Sequence, residues 1–354
     1  MEEKKDTLGM LDLVIRPGFC VKENQIIKVN QAAESLFITP GTDVRPLLLT
    51  GSEEYAAFTG GCLYLTLNLS SHSCGASVTR VDDIDVFLLE QESDNGELRS
   101  MALAARELRE PLTNVMITAD SLFPLCAAES SPRTAEQVAR LNRGLFQILR
   151  IIGNMSDAER CAAVSHQETV DIPALFAEFF EKAETLVSHT GITLTYEGPD
   201  QPIYGLADRE QLERAVLNIL SNAIKFTPKG GTVTAKLTRS GRMLRLSVTD
   251  SGSGIAQSVR SSVFSRYLRQ PALEDSRYGI GLGMVLIRTA AAHHGGTVLI
   301  DQPDGVGTRI TMTMSIRQSK QATLRSNVLR VDYAGERDHG LIELSECLPT
   351  ELYE

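Results

Sequence analysis

The sequence predicts a multidomain α+β protein made of a small mixed domain, a long helical hairpin and an α/β sandwich. Three observations predict this fold class. Short strand-like runs with turns fill residues 8–92, apolar heptads fill 96–160, and helices alternate with strands over 168–316. Residues 317–354 form a tail. With 354 residues and 42% hydrophobic side chains, the chain can bury more than one core.

Composition excludes several classes of function. The formal net charge of -10 argues against a broad basic surface, so we expect no nucleic-acid partner. The six cysteines show no CxxC spacing, which argues against a zinc site or a disulfide framework. No apolar run approaches the roughly 18 residues that span a bilayer, and the first residues do not resemble a signal peptide. We therefore expect a cytoplasmic protein without a membrane span.

The first block is predicted to begin with two strands in FCVKENQIIKVN, which meet at Glu23-Asn24, followed by the short helix QAAESLF. Further strands are predicted in GCLYLTLNLSS and GASVTRVDDIDVFLLEQ. This order resembles a PAS-type sensor domain, which implies that residues 8–92 sense a signal. The alternative is a small α+β domain without that role. The charged stretch ESDNGELR is predicted to be a linker.

Apolar residues recur at alternating steps of three and four between residues 96 and 160. They are Leu98, Met101, Ala105, Leu108, Leu112, Val115, Ala119 and Leu122, then Val138, Leu141, Leu145, Ile148, Ile152 and Met155. Such spacing gives each helix one apolar seam. The pattern predicts an antiparallel hairpin that completes a four-helix bundle in a homodimer, or in a heterodimer with a related chain. Ser131 and Pro132 fit the N-cap and first position of the second helix.

From 168 to 316, the pattern predicts an α/β sandwich with helices on one face of a sheet. Helices are predicted in DIPALFAEFFEKAETLVSHT, DREQLERAVLNILSNAIKF and LGMVLIRTAAAHH, and strands in ITLTYEG, TVTAKLTR, MLRLSVTD, GTVLID and TRITMTMSI. Asp208 and Gln211 have the spacing of a capping box. His293 and His294 are assigned to a surface turn.

A polar stripe lies on the predicted helix that follows Asp208. Asn218, Asn222 and Lys225 occupy positions i, i+4 and i+7 and therefore share one face. Amide oxygens suit Mg²⁺, and an ammonium group neutralises phosphate. A solvated polar face explains the stripe equally well.

Two glycine-rich stretches add chemistry to this region. In VTDSGSGI, Asp250 ends an apolar strand before Gly252 and Gly254, so its carboxylate can accept from the exocyclic amine of adenine. In YGIGLGMVL, Gly279, Gly281 and Gly283 precede a helix whose N-terminus suits phosphate. A dinucleotide fold would need a strand before these glycines. The polar RQPALEDSRY stands there instead and is predicted to be a lid.

These motifs together resemble the ATP-binding domain of histidine kinases, the Bergerat fold. LERAVLNILSNAIKFTPKGG, VTDSGSGI, SSVFSRYLR, YGIGLGMVLI and DGVGTRITM are similar to its N, G1, F and G2 boxes and its final glycine-threonine motif, in order. The resemblance implies ATP and Mg²⁺ as cofactors. It implies Asn222 as the principal Mg²⁺ ligand with Asn218 in support, Lys225 and Arg269 on phosphates, Asp250 on adenine with Thr308 nearby, and Phe264 anchoring the lid.

The first hairpin helix carries AARELREPL, which resembles the phosphoacceptor motif of sensor histidine kinases. Arg106 stands where the family has the reactive histidine, whereas Glu107 is retained. Guanidinium offers no lone pair for attack on a phosphoryl group. Glu110 occupies the threonine position of this motif, where the resemblance implies a threonine or asparagine for phosphatase activity, and spacing predicts that it pairs with Arg106.

The favoured hypothesis is a dimeric two-component signalling protein that binds ATP and Mg²⁺ and does not phosphorylate its own hairpin. The implied partner is the receiver domain of a response regulator. One alternative is an enzyme that phosphorylates a histidine on another protein. Another is a non-enzymatic, ATP-responsive scaffold or regulator of another kinase or response regulator. For the tail, the amphipathic LIELSECLPTELY can dock either on this chain or on a partner.

Overall fold

The computed structural model describes residues 9, 11–69, 72–90, 93–128, 132–163, 167–255, 263–264, 282–303, 306–317 and 337–353. The strands are β1 (Gly18–Lys22), β2 (Gln25–Val29), β3 (Cys62–Asn68), β4 (Ser73–Val81), β5 (Ile84–Leu89), β6 (Glu168–Asp171), β7 (Thr193–Glu197), β8 (Tyr204–Ala207), β9 (Thr232–Ser240), β10 (Met243–Asp250), β11 (Val298–Asp301) and β12 (Thr308–Ser315). The helices are α1 (Gln31–Glu34), α2 (Ser52–Ala56), α3 (Ser93–Ala128), α4 (Pro132–Ala163), α5 (Ile172–Val187), α6 (Arg209–Phe226), α7 (Leu282–His293) and α8 (His339–Glu343).

The N-terminal block forms an antiparallel sheet in the order β2-β1-β5-β4-β3. The predicted turn between its first two strands is confirmed, with φ of 50° at Glu23 and 65° at Asn24, as a two-residue hairpin requires. Asn30 then caps α1, because its Oδ1 accepts the backbone N–H of Ala33 at 3.0 Å. Its Oδ1 also accepts from Gly18 N–H at 3.0 Å, which ties the helix start to β1.

The two predicted heptad segments form α3 and α4, which pack against each other. Their apolar positions divide into two sets. Ala105 and Leu112 are buried, whereas Leu108 and Val115 are 52% and 53% exposed. The hairpin therefore buries one half of its seam and leaves the other half uncovered. Within the part of the chain that is described, none of the helices has both the length and the hydropathy of a bilayer span.

The prediction of a linker before α3 is wrong, because the helix begins at Ser93. The polar composition that suggests a linker also suits a first helical turn, where serine and acidic residue types are favoured. At the other end of the hairpin, α4 begins at Pro132 as predicted. Ser131, the predicted cap, lies outside the described residues.

The block from β6 to β12 contains the predicted strands and helices. β9 and β10 form an antiparallel hairpin, and along both strands buried residues alternate with exposed ones. Helices α5, α6 and α7 pack side by side and contact this sheet. An amphipathic sheet covered by one helix layer is the predicted sandwich.

The start of α6 differs from its predicted structure in two details. Asp208 Oδ1 accepts the Gln211 N–H at 3.2 Å, which is one half of the capping box, but Gln211 Oε1 contacts His293 Nδ1 at 3.1 Å instead of completing it. His294 is not on a surface turn, since it is only 1% exposed. Its Nε2 accepts the backbone N–H of Asp208 at 3.0 Å, and burial lowers the pKa of the imidazole.

The N-terminal sheet continues into the sandwich, which the sequence analysis does not predict. Strand β3 pairs antiparallel with β11, from Tyr64 opposite Val298 to Cys62 opposite Ile300. Among the described residues, ten strands thus form one sheet in the order β2-β1-β5-β4-β3-β11-β12-β10-β9-β7. Hydrogen bonds between strands therefore join the two domains directly.

Candidate nucleotide-binding site

Asp250 is the buried acceptor at the end of β10. Its Oδ1 accepts the backbone N–H of Gly252 at 2.8 Å and that of Thr308 at 3.2 Å. Thr308 lies opposite Asp250 in the pairing of β12 with β10, so the sheet register fixes both residues. Burial raises the pKa of the Asp250 carboxyl, although these backbone donors oppose the shift. The two amides orient a carboxylate that can accept from a ligand.

The polar stripe lies on α6, whose last residue, Phe226, adjoins Gly252 just after the end of β10. Asn218 is 1% exposed, and its Nδ2 donates to the carbonyl of Arg214 at 2.9 Å. Asn222, one turn later, is half-buried. Lys225 follows at the end of the helix. The two amides therefore lie one above the other, as the spacing predicts.

Gly283 lies in the first turn of α7, against the α6 stripe. A Cβ atom here would lie 2.6 Å from Asn218 Oδ1, so glycine permits this close approach. A Cβ on Gly252 would lie 2.4 Å from the carbonyl oxygen of Phe226, which ties the end of β10 to the end of α6. Gly254, two residues farther, has a φ of +73°. The predicted site residues Arg269, Gly279 and Gly281 lie outside the described residues.

Phe264, the residue predicted to anchor a lid, is 2% exposed and contacts the N-terminal domain. Its ring centroid lies 5.6 Å from that of Tyr64 on β3. Arg288 of α7 donates through Nη1 to the Phe264 carbonyl at 3.0 Å, lies 5.1 Å above the Tyr64 ring and forms an ion pair with Glu90. The N-terminal domain thus contacts the edge of the candidate site through an aromatic pair and a cation.

The C-terminal segment, defined as residues 337–353, packs between α4 and α6. Its side chains Ile342 and Leu344 are completely buried, and the Tyr353 ring packs against that of Phe146 at 5.2 Å. Arg143 of α4 donates to the backbone carbonyl of Ser345 at 2.8 Å. The tail therefore docks on its own chain, which is one of the two predicted possibilities.

Glu343 of this segment is fully buried in a cluster of polar side chains. Its Oε1 lies 3.2 Å from Arg214 Nη2, and its Oε2 lies 3.5 Å from Arg150 Nε of α4. Its Oε2 also accepts from Asn218 Nδ2 at 3.3 Å. Arg214 in turn donates to Asn154 Oδ1 at 2.6 Å. The hairpin, the tail and the α6 stripe therefore meet at one carboxylate.

Glu346 forms a second bridge near the protein surface. Its Oε1 lies 3.1 Å from Arg150 Nη1, and its Oε2 accepts from Lys225 Nζ at 2.8 Å. Burial alone would raise the pKa of the Glu346 carboxyl, but the attraction of Arg150 and Lys225 holds that pKa below its ordinary value. Glu346 is therefore ionised at neutral pH. It neutralises the same ammonium group that the sequence analysis assigns to phosphate.

Arg106 and Glu107 lie on the exposed face of α3, and so does Glu110. The predicted ion pair between Arg106 and Glu110 is wrong: no such pair joins these two described side chains. An exposed pair one turn apart is worth only a few tenths of a kcal/mol, about the side-chain entropy it costs. Arg106 is therefore a solvent-exposed cation.

The sequence of this chain is similar to those of known histidine kinases. The family model of histidine kinase-, DNA gyrase B- and HSP90-like ATPases matches residues 207–318. The chain is 28% identical over 276 residues to the uncharacterized sensor-like histidine kinase R01002 of Rhizobium meliloti, covering 73% of this chain and 52% of that protein. It is 28% identical to the adaptive-response sensory kinase SasA of Synechocystis (70% and 68% covered) and 25% identical to the sensor-like histidine kinase SenX3 of Mycobacterium tuberculosis (68% and 63% covered).

The chain thus spans about half to two thirds of the length of these relatives. Among solved structures, the crystal structure of full-length ShkA in complex with AMPPNP superposes with a TM-score of 0.51 at 23% sequence identity. The superposed region covers 62% of this chain and 46% of ShkA. This likeness concerns the fold.

Proposed function

We infer, for a chain that carries the ATPase domain of histidine kinases and is related to two-component sensor histidine kinases, that it is a signalling protein that binds ATP with Mg²⁺ and does not phosphorylate its own hairpin. The observation that carries this proposal is Asp250, a buried carboxylate oriented by two backbone amides at the edge of the polar stripe. A carboxylate in that position can accept a hydrogen bond from the amine of a base, while the side chains of the stripe bind the phosphates.

The residues present fit ATP. In the proposed complex, Asp250 accepts from the adenine amine, and Gly252 and Gly254 allow the ring to approach the backbone. Lys225 neutralises phosphate charge, and Arg269, Gly279, Gly281 and Gly283 are the further phosphate-binding candidates. Thr308 keeps the adenine-binding carboxylate in place through its N–H.

The same stripe fits Mg²⁺. Amide oxygens and water suit this hard cation, which is usually held by few protein ligands together with substrate phosphates. Asn222, half-buried and one helical turn after Asn218, would be the main ligand. Asn218 would support it, because its Nδ2 is held by Arg214 and Glu343 and its Oδ1 lies toward Gly283. The cation would neutralise charge on the phosphates.

Arg106 prevents phosphorylation of the hairpin in this proposal. A nucleophile needs an electron pair, and the guanidinium group of an exposed arginine stays protonated at any physiological pH. Glu107, which in the family's motif follows the reactive histidine, is present and exposed but has no imidazole to assist. ATP bound by this chain therefore has no acceptor at position 106.

We expect the wild-type chain to bind the ATP analogue AMPPNP in a Mg²⁺-dependent manner and to acquire no acid-labile phosphate from ATP. Calorimetry with and without EDTA measures the first property, and incubation with labelled ATP followed by acid and base treatment measures the second. Failure to bind at millimolar nucleotide would contradict the proposal, and so would acid-labile label on the hairpin.

The uncovered half of the heptad seam supports a dimer. Leu108, Val115 and Leu122 on α3 are each about half exposed, as are Leu141 and Ile148 on α4. Helices that repeat apolar side chains every seven residues bury them against partner helices. A second copy of this chain, or a related kinase chain, would complete the four-helix bundle.

Val115→Glu is expected to weaken the dimer at least about 100-fold, because each partner then buries an uncompensated carboxylate. Light scattering over a dilution series measures the dissociation constant. Ser121→Glu is the matched control, since Ser121 is exposed and lies about 120° around the same helix from Val115. Equal dissociation constants for both variants and the wild type would rule out this seam as the interface.

The remaining parts of the proposal concern signal input and output. The antiparallel sheet and short helices of the first 90 residues support a PAS-type sensor, and its contacts with Phe264 give a signal a direct route to the ATP site. The proposed output partner is a receiver domain. Label transferred to a histidine of a partner kinase would favour the enzymatic alternative, whereas nucleotide binding without any transfer would favour a scaffold.

A further inference from the structure

Lys225 of the α6 stripe forms an ion pair with Glu346 of the C-terminal segment. Lys225 Nζ lies 2.8 Å from Glu346 Oε2. The same lysine is assigned to phosphate in the proposed complex. One ammonium group cannot neutralise both a carboxylate and a triphosphate fully, and the two anions repel each other.

Glu343 and Glu346 of the segment differ in how readily they can exchange partners. Glu343 has no exposed surface and its partner Arg214 is 4% exposed, so breaking their contact would separate two opposite charges inside the protein, which is costly. The Glu346 and Lys225 side chains are 31% and 14% exposed. Both also line an open groove of about 510 Å³, so the contact is open to solvent on one side.

Glu346 also binds the hairpin. Arg150 of α4 contacts Glu346 through Nη1 and the hydroxyl of Ser221 through Nη2, at 3.1 and 3.2 Å. Glu346 therefore connects Lys225 of the ATPase domain to a residue of the hairpin. When a phosphate takes over Lys225, that connection is reduced to the contact with Arg150 alone.

We propose that the C-terminal segment is a built-in competitor of the nucleotide: Glu343 anchors it permanently, and Glu346 exchanges Lys225 with the phosphates of ATP. Nucleotide binding and attachment of the ATPase domain to α4 thereby oppose each other. This inference rests on the proposed function, because it requires ATP phosphates at Lys225. Coupling between two binding events is reciprocal, so each event weakens the other by the same factor.

The test uses the full chain, Mg²⁺ and AMPPNP. Glu346→Gln keeps the size of the side chain and removes its charge, so we expect AMPPNP to bind about 3–10-fold more tightly than to the wild type. Glu351→Gln is the matched control, because Glu351 is an exposed acidic residue of the same segment. Circular dichroism checks that each variant is folded.

A second measurement follows the reciprocal effect. Amide hydrogen exchange in residues 344–348 of the wild type should become faster when AMPPNP and Mg²⁺ saturate the protein, and this acceleration should be lost in Glu346→Gln. Wild-type binding with equal or lower affinity in Glu346→Gln would overturn the inference and leave the proposed function intact. Absence of binding in the wild type and in all variants would overturn both.

Discussion

Replacing Arg106 by histidine is expected to let the hairpin accept a phosphoryl group from ATP, which the wild-type chain does not. Imidazole supplies a nitrogen lone pair near neutral pH, and the retained Glu107 can accept a hydrogen bond from the other ring nitrogen. The side chain at this position is exposed, so the substitution should not disturb the packing of α3. The wild type should show no detectable label, and the variant should show label that is stable in alkali and labile in acid.

Labelled ATP and the alkali stability of the product measure this gain. Arg106→Gln is the matched control, because it removes the charge without supplying a nucleophile. If Arg106→His remains unlabelled, Arg106→His combined with Glu110→Thr restores the motif more fully. Absence of label on both variants, at saturating nucleotide, would show that residue 106 is not what prevents the reaction.

Asp250→Asn is expected to weaken nucleotide binding by about 10–100-fold. The variant loses a buried hydrogen bond to the ligand and places one hydrogen-bond donor opposite another. The asparagine oxygen can still accept from Gly252 and Thr308, so the fold should be preserved. Its amide group would then face the adenine amine, and two donors cannot pair.

Calorimetry with AMPPNP and Mg²⁺ measures this loss. Ser253→Ala, at an exposed position three residues along the chain, is expected to bind like the wild type. A guanine nucleotide offers a different edge and serves as a specificity control. Unchanged affinity for AMPPNP in Asp250→Asn would remove the carboxylate from the proposed site.

Local patterns predict much of this fold. The turn at Glu23-Asn24, the β9–β10 hairpin and the heptads of α3 and α4 all follow from residues close together in the chain. The proximity of Asn218 to Asn222 follows from helical spacing in the same way. The prediction that Thr308 lies beside Asp250 depends on the order of the motifs across the whole domain.

The contacts that sequence reasoning misses are long-range. Lys225 and Glu346 are 121 residues apart, and Arg214 and Glu343 are 129 apart. No spacing rule relates such positions, because their proximity depends on how the tail returns to α6. One local signal is Arg214, a charged residue directly before the mainly apolar run AVLNIL of α6. A buried arginine requires a carboxylate partner, which could have prompted a search of the tail.

The pairing of β3 with β11 limits how this protein can be divided. A strand that loses its neighbour exposes a row of unpaired N–H and C=O groups, which recruits other chains. A fragment that contains only the ATPase domain would expose the edge of β11, and a fragment that ends with the first domain would expose β3. Each fragment would have an exposed strand edge that is paired in the full chain. Aggregation of an isolated fragment would therefore say little about the solubility or the nucleotide binding of the full chain.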